Sequence, residues 1–388
     1  MVLRRRPTDA EVERFVQHQT AAQGTSPNDG LDLILTAMLA SPSFLFPTEA
    51  SASPAVADHF KLARLTLALW DSLPDAATVA RFAAAARAGD PAVPGMLLAD
   101  ARAQRFFQKF AGRFVDVDRL GELQRSKELT PLFGSSVQQA VRLDLLRSLQ
   151  EAFGPNRKVA ELLTSPTIYV NRLTAPLYGV TAAGDAFEPR ESASSDERAG
   201  LLTNLGVLAL QAHSDEGSIV KRGVFLLQRV LCTPPPPPPA DVPPLPGPDS
   251  KLPQRARLAA HAASPACAGC HRAIDGLGAG LEGFDAIGRR ISTDHGQPIT
   301  GRGVVPRLMD AADDQEFTGP RELARILARS VQTRECLMTH VHRALVGRDS
   351  FPAEKGELEA ARARFIDSGD LRGLAVDLLA GANTSSRF

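Results

Sequence analysis

The stretch Cys267-Ala268-Gly269-Cys270-His271 constrains this chain more than any other. Two cysteines three apart sit on one face of a helical turn, and the histidine directly after the second presents its imidazole from the same turn. The spacing is the attachment pattern of a c-type haem: each thiol bonds a vinyl group, and the imidazole ligates the iron from the same side. A zinc site, a redox dithiol and a pair of buried thiols stay open as other readings of the same residues.

A chain of 388 residues is long enough for two or three domains with a sizeable core. The 44 basic residues balance the 44 acidic ones, so bulk charge points to neither a nucleic acid nor a membrane surface. Aromatics make 5%, almost all of them Phe, and Ala, Leu and Arg abound, which favours helices over a β-sandwich. No apolar run reaches the ~18 residues of a membrane span. The start, Met1 to Asp9, is basic but lacks the apolar stretch of a signal peptide. Haem is attached to such a motif outside the cytoplasm, which leaves an upstream start, an unusual export route, or a different reading of the motif.

In chain order, Thr8 and Glu11 form a capping box for a first helix. The helix 31–40 is apolar almost all round, which predicts burial, and Pro42 to Pro47 stops it. Helices follow at 58–70, 76–88 and about 94–115. In the last of these, Phe106, Phe107, Phe110 and Phe114 make a core stripe at three- and four-residue spacing. Val137 to Phe153 is another amphipathic helix, and a short one ends near Tyr178-Gly179. No useful strand-period alternation appears in this half, and 181–197 reads as a surface loop. Ile219 to Leu231 is helical, with Val220, Val224, Leu227 and Leu231 on one side. Pro234 to Pro239 must run as polyproline II, making 233–248 a stiff strap. A short helix, Arg255 to Ala263, breaks just ahead of the cysteine motif. Beyond His271, the glycine-rich run Gly276 to Gly283 suits backbone folding tightly past a flat cofactor. Four helices close the chain.

An iron held by His271 needs its sixth position accounted for: Met or His there favours electron transfer, and an open position permits ligand binding. The candidates are Met309, Met338, His340, His342, His213, His261 and His295, and Met309 is favoured because it lies downstream in a loop-like stretch. Cys232 and Cys336 remain. In an exported protein they would pair as a disulfide pinning the strap to the C-terminal helices; as free thiols they would be buried, and with Cys267, Cys270 and His271 they could instead ligate zinc. There is no phosphate loop, no His-Glu-x-x-His and no nucleophile elbow.

Several stretches together resemble a bacterial family of exported multi-domain proteins, catalogued as consecutive domains of unknown function, that carry one cytochrome-c-like haem motif. They are Leu35 to Phe46, Leu69-Trp70 with Pro74-Asp75, Leu98 to Arg102, Lys221-Arg222-Gly223, Cys232-Thr233 with the prolines, His261 through the motif to Arg289, and Gly347-Arg348. The resemblance implies export, covalent haem at Cys267 and Cys270, and His271 as axial ligand. It also implies that Arg4 to Val12 lies inside a longer family protein with a signal peptide upstream. Gly276 stands where the family tends to have Pro, and Ala279 where it tends to have Phe, which removes a ring beside the haem.

The expectation is an all-α protein: a remnant of an upstream helical domain at 1–27, a multi-helical domain at 28–180, the proline strap and cytochrome-c-like haem segment at 195–305, and a helical C-terminal domain at 310–388. The expected function is that of a periplasmic or cell-surface c-type cytochrome with one haem c. It would be loaded by the cytochrome c maturation machinery and exchange electrons with a redox partner protein, alone or within a larger oxidoreductase. The alternatives are a haem enzyme that activates a small ligand such as peroxide, and an interaction protein whose motif holds structural zinc.

Overall fold

In a computed structural model, the structure describes residues 8–21, 28–41, 54–193, 197–237, 252–263, 265–349 and 355–382. Among the described residues the protein is mostly helical, with strand only in small antiparallel hairpins, which makes it all-α. Among the described residues no helix is long and apolar enough to cross a membrane. The strap beyond residue 237, the start before Thr8, and Pro42 to Pro47 lie outside the described residues.

The chain divides into two compact units, Met1–Phe106 with Ala344–Leu358 and Ala375–Phe388, and Phe107–Arg343 with Glu359–Leu374. The second therefore gathers residues from the helical, haem and C-terminal segments named above.

In the first unit, α1 (Asp9–Ala21) begins with the capping box: the Glu11 carboxylate accepts from Thr8 N–H at 2.8 Å, and Thr8 Oγ1 accepts from Glu11 N–H at 3.3 Å. The next helix, α2 (Asp29–Leu39), packs on α1 but is not buried. Leu31, Leu33, Leu35 and Leu39 stay 44–50% exposed, because α1 covers one side and the leucines ring the helix. Helices α3 (Pro54–Trp70) and α4 (Ala76–Ala88) form a hairpin whose turn is set by Asp75, which caps α4 by accepting from Thr78 N–H at 2.8 Å. The fully buried Trp70 ends α3. Its indole N–H donates to Leu97 O at 3.0 Å, and the Arg102 guanidinium lies 3.6 Å over its ring. The long helix expected at 94–115 is in fact broken. After α5 (Ala92–Leu98), Asp100 accepts from both the backbone and the side chain of Arg102, which forces a 3-10 turn at Ala101–Ala103 before α6 (Gln104–Val115).

In the second unit the stripe of α6 is core: Phe107 and Phe110 stack on Phe153 with ring centroids 5.5 and 5.3 Å apart. Next come α7 (Ser135–Glu151) and α8 (Val159–Thr164). They are followed by a two-stranded sheet, β1 (Thr167–Val170) against β2 (Glu188–Glu191), with Thr167 opposite Glu191 and Val170 opposite Glu188. Neither strand was expected: four residues give two periods of alternation, too few to stand out. A wholly buried α9 (Leu205–Leu210) precedes α10 (Ile219–Phe225), which continues as a π-turn over Leu226–Val230. Of the expected stripe, Leu227 and Leu231 are buried, whereas Val220 and Val224 are only half-buried, and Ile219, Phe225, Leu226 and Val230 complete the core face.

Then come α11 (Gln254–Ala262) and α12 (Pro265–Gly278). Small hairpins follow, β3 (Thr293–Asp294) with β4 (Gln297–Pro298) and β5 (Arg302–Val305) with β6 (Gln315–Thr318). Past them, α13 (Gly319–Arg329) and α14 (Val331–Val346) lead to α15 (Lys355–Ser368) and α16 (Leu371–Ala382).

Candidate haem-attachment site

Helix α12 carries the whole motif and runs seven residues past His271, so the glycines after it do not form the tight loop expected. They serve a helix crossing instead. A Cβ on Gly278 would overlap the Ile219 carbonyl, and one on Gly223 would overlap the Ile274 carbonyl. The two glycines let α10 and α12 meet backbone to backbone. Gly280 likewise leaves room for the Phe317 ring.

The buried Arg222 locks the segment behind the motif. Its guanidinium donates to Leu281 O at 2.6 Å, Phe284 O at 2.7 Å and Asp285 O at 2.8 Å. Burial holds it down at about 9, and the nearby Asp285 charge opposes that fall. Asp285 itself accepts from Ile287 and Arg289 N–H and pairs with the Arg289 side chain at 2.7 Å. Glu282 pairs with Arg255 at 2.7 Å. Both carboxylates are occupied in shaping the fold.

Cys267 and Cys270 are free thiols, each half-buried. His271 is 15% exposed and lies in edge contact with the His261 ring, centroids 4.9 Å apart. His271 Nδ1 is 3.0 Å from Asp275 Oδ2 one turn further along the helix. Burial holds the Asp275 carboxyl above the ordinary value against the pull of His271, and its Oδ1 is buried with no hydrogen-bond partner. A carboxylate on one ring nitrogen fixes the tautomer and leaves Nε2 as the ligating atom, the arrangement metal-bound imidazoles use. The donor set therefore fits an axial ligand on a helical turn with two thiols.

An apolar cleft of about 620 Å³ opens on the Cys270 side of α12. Gly269, Cys270 and Ala273 line one wall, Leu227 and Leu231 another, and Pro235 and Leu308 are also on its surface. Met309, in the loop after β5, lines the same cleft with its side chain 70% exposed. The structure thus brings Met309 and Cys270 to one space, while His271 and Cys267 are not on that wall.

Cys232 and Cys336 are joined, with Cα atoms 5.4 Å apart. Two of the four sulfurs are thereby spent, which removes the four-cysteine zinc arrangement. His340 lies against this bridge, 3.9 Å from Cys232 Sγ. Its Nε2–H donates to Arg229 O at 3.0 Å, and burial, helped by the Arg229 charge, lowers it to about 4. It is a neutral core imidazole. His295 sits in the β3–β4 turn, 2.6 Å from Asp294. His213 lines a different cleft. Arg222 entered the sequence reading only within a resembling stretch, without its buried role, and the Asp275 partner of His271 escaped it. An Asp four residues after the motif histidine is the one signal that could have found the second.

No curated protein and no solved structure matches the chain. Family comparison finds three consecutive domains of unknown function: residues 1–49 match PSD5, a protein of unknown function (DUF1595), and residues 58–180 match PSD4, a protein of unknown function (DUF1592). Residues 198–294, which hold Arg222, both thiols of the motif, His271 and Asp275, match PSCyt3, a protein of unknown function (DUF1588).

Proposed function

We propose that this chain carries one covalent haem c, linked through Cys267 and Cys270 with His271 as axial ligand, and passes single electrons to a protein partner. The observation that carries the reading is the Asp275 carboxylate on His271 Nδ1, which turns the other ring nitrogen into a ligand. Iron bound there supplies one-electron chemistry. The residues of the chain do the rest. Asp275 orients the imidazole and strengthens it as a donor. Leu227, Leu231 and Leu308 give the cleft beside Cys270 an apolar wall. Met309 is the candidate for the sixth position. The PSCyt3 match over the motif and the Cys232–Cys336 bridge support the reading, because disulfides persist where covalent haem is attached, outside the cytoplasm. The chain is accordingly read as periplasmic or surface-exposed and dependent on the cytochrome c maturation machinery.

One observation favours a second reading. Met309 is 70% exposed rather than packed, so the sixth position can stand open for a small ligand such as peroxide. Spectra with added cyanide or imidazole separate the two.

The deciding experiment is a haem stain on a denaturing gel, with the chain expressed behind a signal peptide alongside the maturation machinery. Haem that survives denaturation and disappears in Cys267→Ala/Cys270→Ala supports the reading. A folded, exported protein without haem overturns it, and metal analysis for zinc then follows.

A further inference from the structure

The turn 212–217, between α9 and α10, walls a second cleft of about 480 Å³. Its geometry is fixed from several sides. Ala212 and Gly217 pair across the turn, and His213 N–H donates to Glu216 O at 2.9 Å. Ser126 N–H donates to Ser214 O at 2.9 Å, tying the segment before α7 to it. From α11, the Gln254 amide donates to Gly217 O at 2.7 Å, and Arg257 pairs with Glu216 at 2.5 Å.

Two cations line this frame with no carboxylate partner among the described residues. Arg125 spends its guanidinium on main-chain carbonyls, Ala209 O at 2.7 Å and Gln124 O at 3.2 Å, and its Nε is buried with no acceptor. Lys221, at the mouth, donates to Ala212 O at 2.9 Å. Desolvation, with the charges of Arg125 and Arg119 adding to it, holds the Lys221 ammonium below the ordinary lysine value. Of the acids on the wall, Glu216 is committed to Arg257, and Glu122 and Asp215 sit exposed at the rim. Like charges lining one partly desolvated cleft repel, and an anion bound there offsets that repulsion. The volume suits a metabolite-sized ligand.

We propose that this cleft binds a small oxyanion-bearing molecule whose carboxylate or phosphate bridges Arg125 and Lys221, with His213 beside it. A preformed frame gives such a ligand affinity without a folding cost. The site is independent of the haem reading, since none of these residues lines the cleft beside Cys270.

Isothermal titration of the full chain with inorganic phosphate, and separately with glucuronate, at constant ionic strength in chloride tests it. Saturable binding of either probe is expected, and the probe that binds identifies the anion. Lys221→Gln, at the solvent-facing mouth, is expected to weaken binding at least tenfold with an unchanged circular dichroism spectrum; Arg125→Gln should do the same. No saturable binding of either probe, or binding unchanged in both variants, overturns the proposal.

Discussion

His271 Nδ1 and Asp275 Oδ2 face each other at 3.0 Å one turn apart on α12, and the second oxygen of Asp275 is buried with no hydrogen-bond partner. A carboxylate oxygen buried without a partner is an unfavourable thing to keep unless the charge is used. On the proposed haem function, its use is to make the imidazole a stronger donor. Asp275→Asn keeps an acceptor for the ring N–H and removes the charge. In the haem-loaded protein that substitution should leave covalent attachment intact and raise the midpoint potential, because the oxidised iron loses more stabilisation than the reduced. A tenfold loss of that preference corresponds to ~59 mV. A spectroelectrochemical titration of both proteins reads it, and an unchanged potential would remove Asp275 from the site.

The second unit holds a carboxyl that the haem reading does not use. Asp144 is wholly buried and accepts from Tyr178 OH at 2.6 Å and Asn204 Nδ2 at 3.1 Å. Burial pushes it from 3.8 up to about 7, and those hydrogen bonds restrain the rise. The folded state therefore keeps a proton that the unfolded chain has released across that interval. The stability from this group is fully present below about pH 4 and is lost as pH rises towards 7, with a slope of up to ~1.4 kcal/mol per pH unit. Asp144→Asn should flatten the pH dependence in that window. Urea midpoints at pH 4.5 and 7.5 for both proteins check it; parallel shifts would show that Asp144 does not titrate there.

How much of this could be read from the sequence follows from what each residue must satisfy. Phe107, Phe110 and Phe114 announce a buried helix face by spacing alone, and Asp75 announces a cap by type and position. Arg222 gives no such signal. A lone arginine is assigned to the surface by default, and only the tertiary structure reveals the three carbonyls that justify burying it. Glycines mislead for a related reason. A gap for a cofactor and a gap for a neighbouring helix ask for the same missing Cβ, and α10 supplied the helix. Helix α2 misleads the other way, since an apolar circumference predicts a cover without saying which element provides it.

Two glycines on the same helix make that distinction testable. At Gly278 an added Cβ would overlap the Ile219 carbonyl, whereas at Gly269 it meets nothing within 4 Å. Gly278→Ala should force α10 and α12 apart and destabilise the protein by ~1–3 kcal/mol or more, as overpacking does. Gly269→Ala should be neutral or stabilising by up to ~1 kcal/mol, because alanine is the better helix former. Denaturant midpoints of the haem-free variants measure both. Equal effects at the two positions would mean that the crossing is not the tight one described.

The Cys232–Cys336 bridge closes a loop of 104 residues that contains the strap, α11, α12 and every residue of the motif Cys267 to His271. A constraint of that length removes much of the unfolded chain's freedom, so breaking it should cost ~2–5 kcal/mol. The effect should also reach the cleft. Leu231 and Thr233 line it on either side of Cys232, and Gln332, one turn before Cys336, donates to Leu231 O at 3.0 Å. Cys336→Ala is expected to lower the unfolding midpoint and, in the haem-loaded protein, to broaden or shift the visible bands as the apolar wall beside Cys270 loosens. Mild reduction of the wild type should reproduce both changes, and reoxidation should reverse them. If reduction leaves the midpoint and the spectrum unmoved, the bridge neither stabilises this unit nor holds the cleft, and the apolar wall must be kept in place by the packing of Leu227 and Leu231 alone.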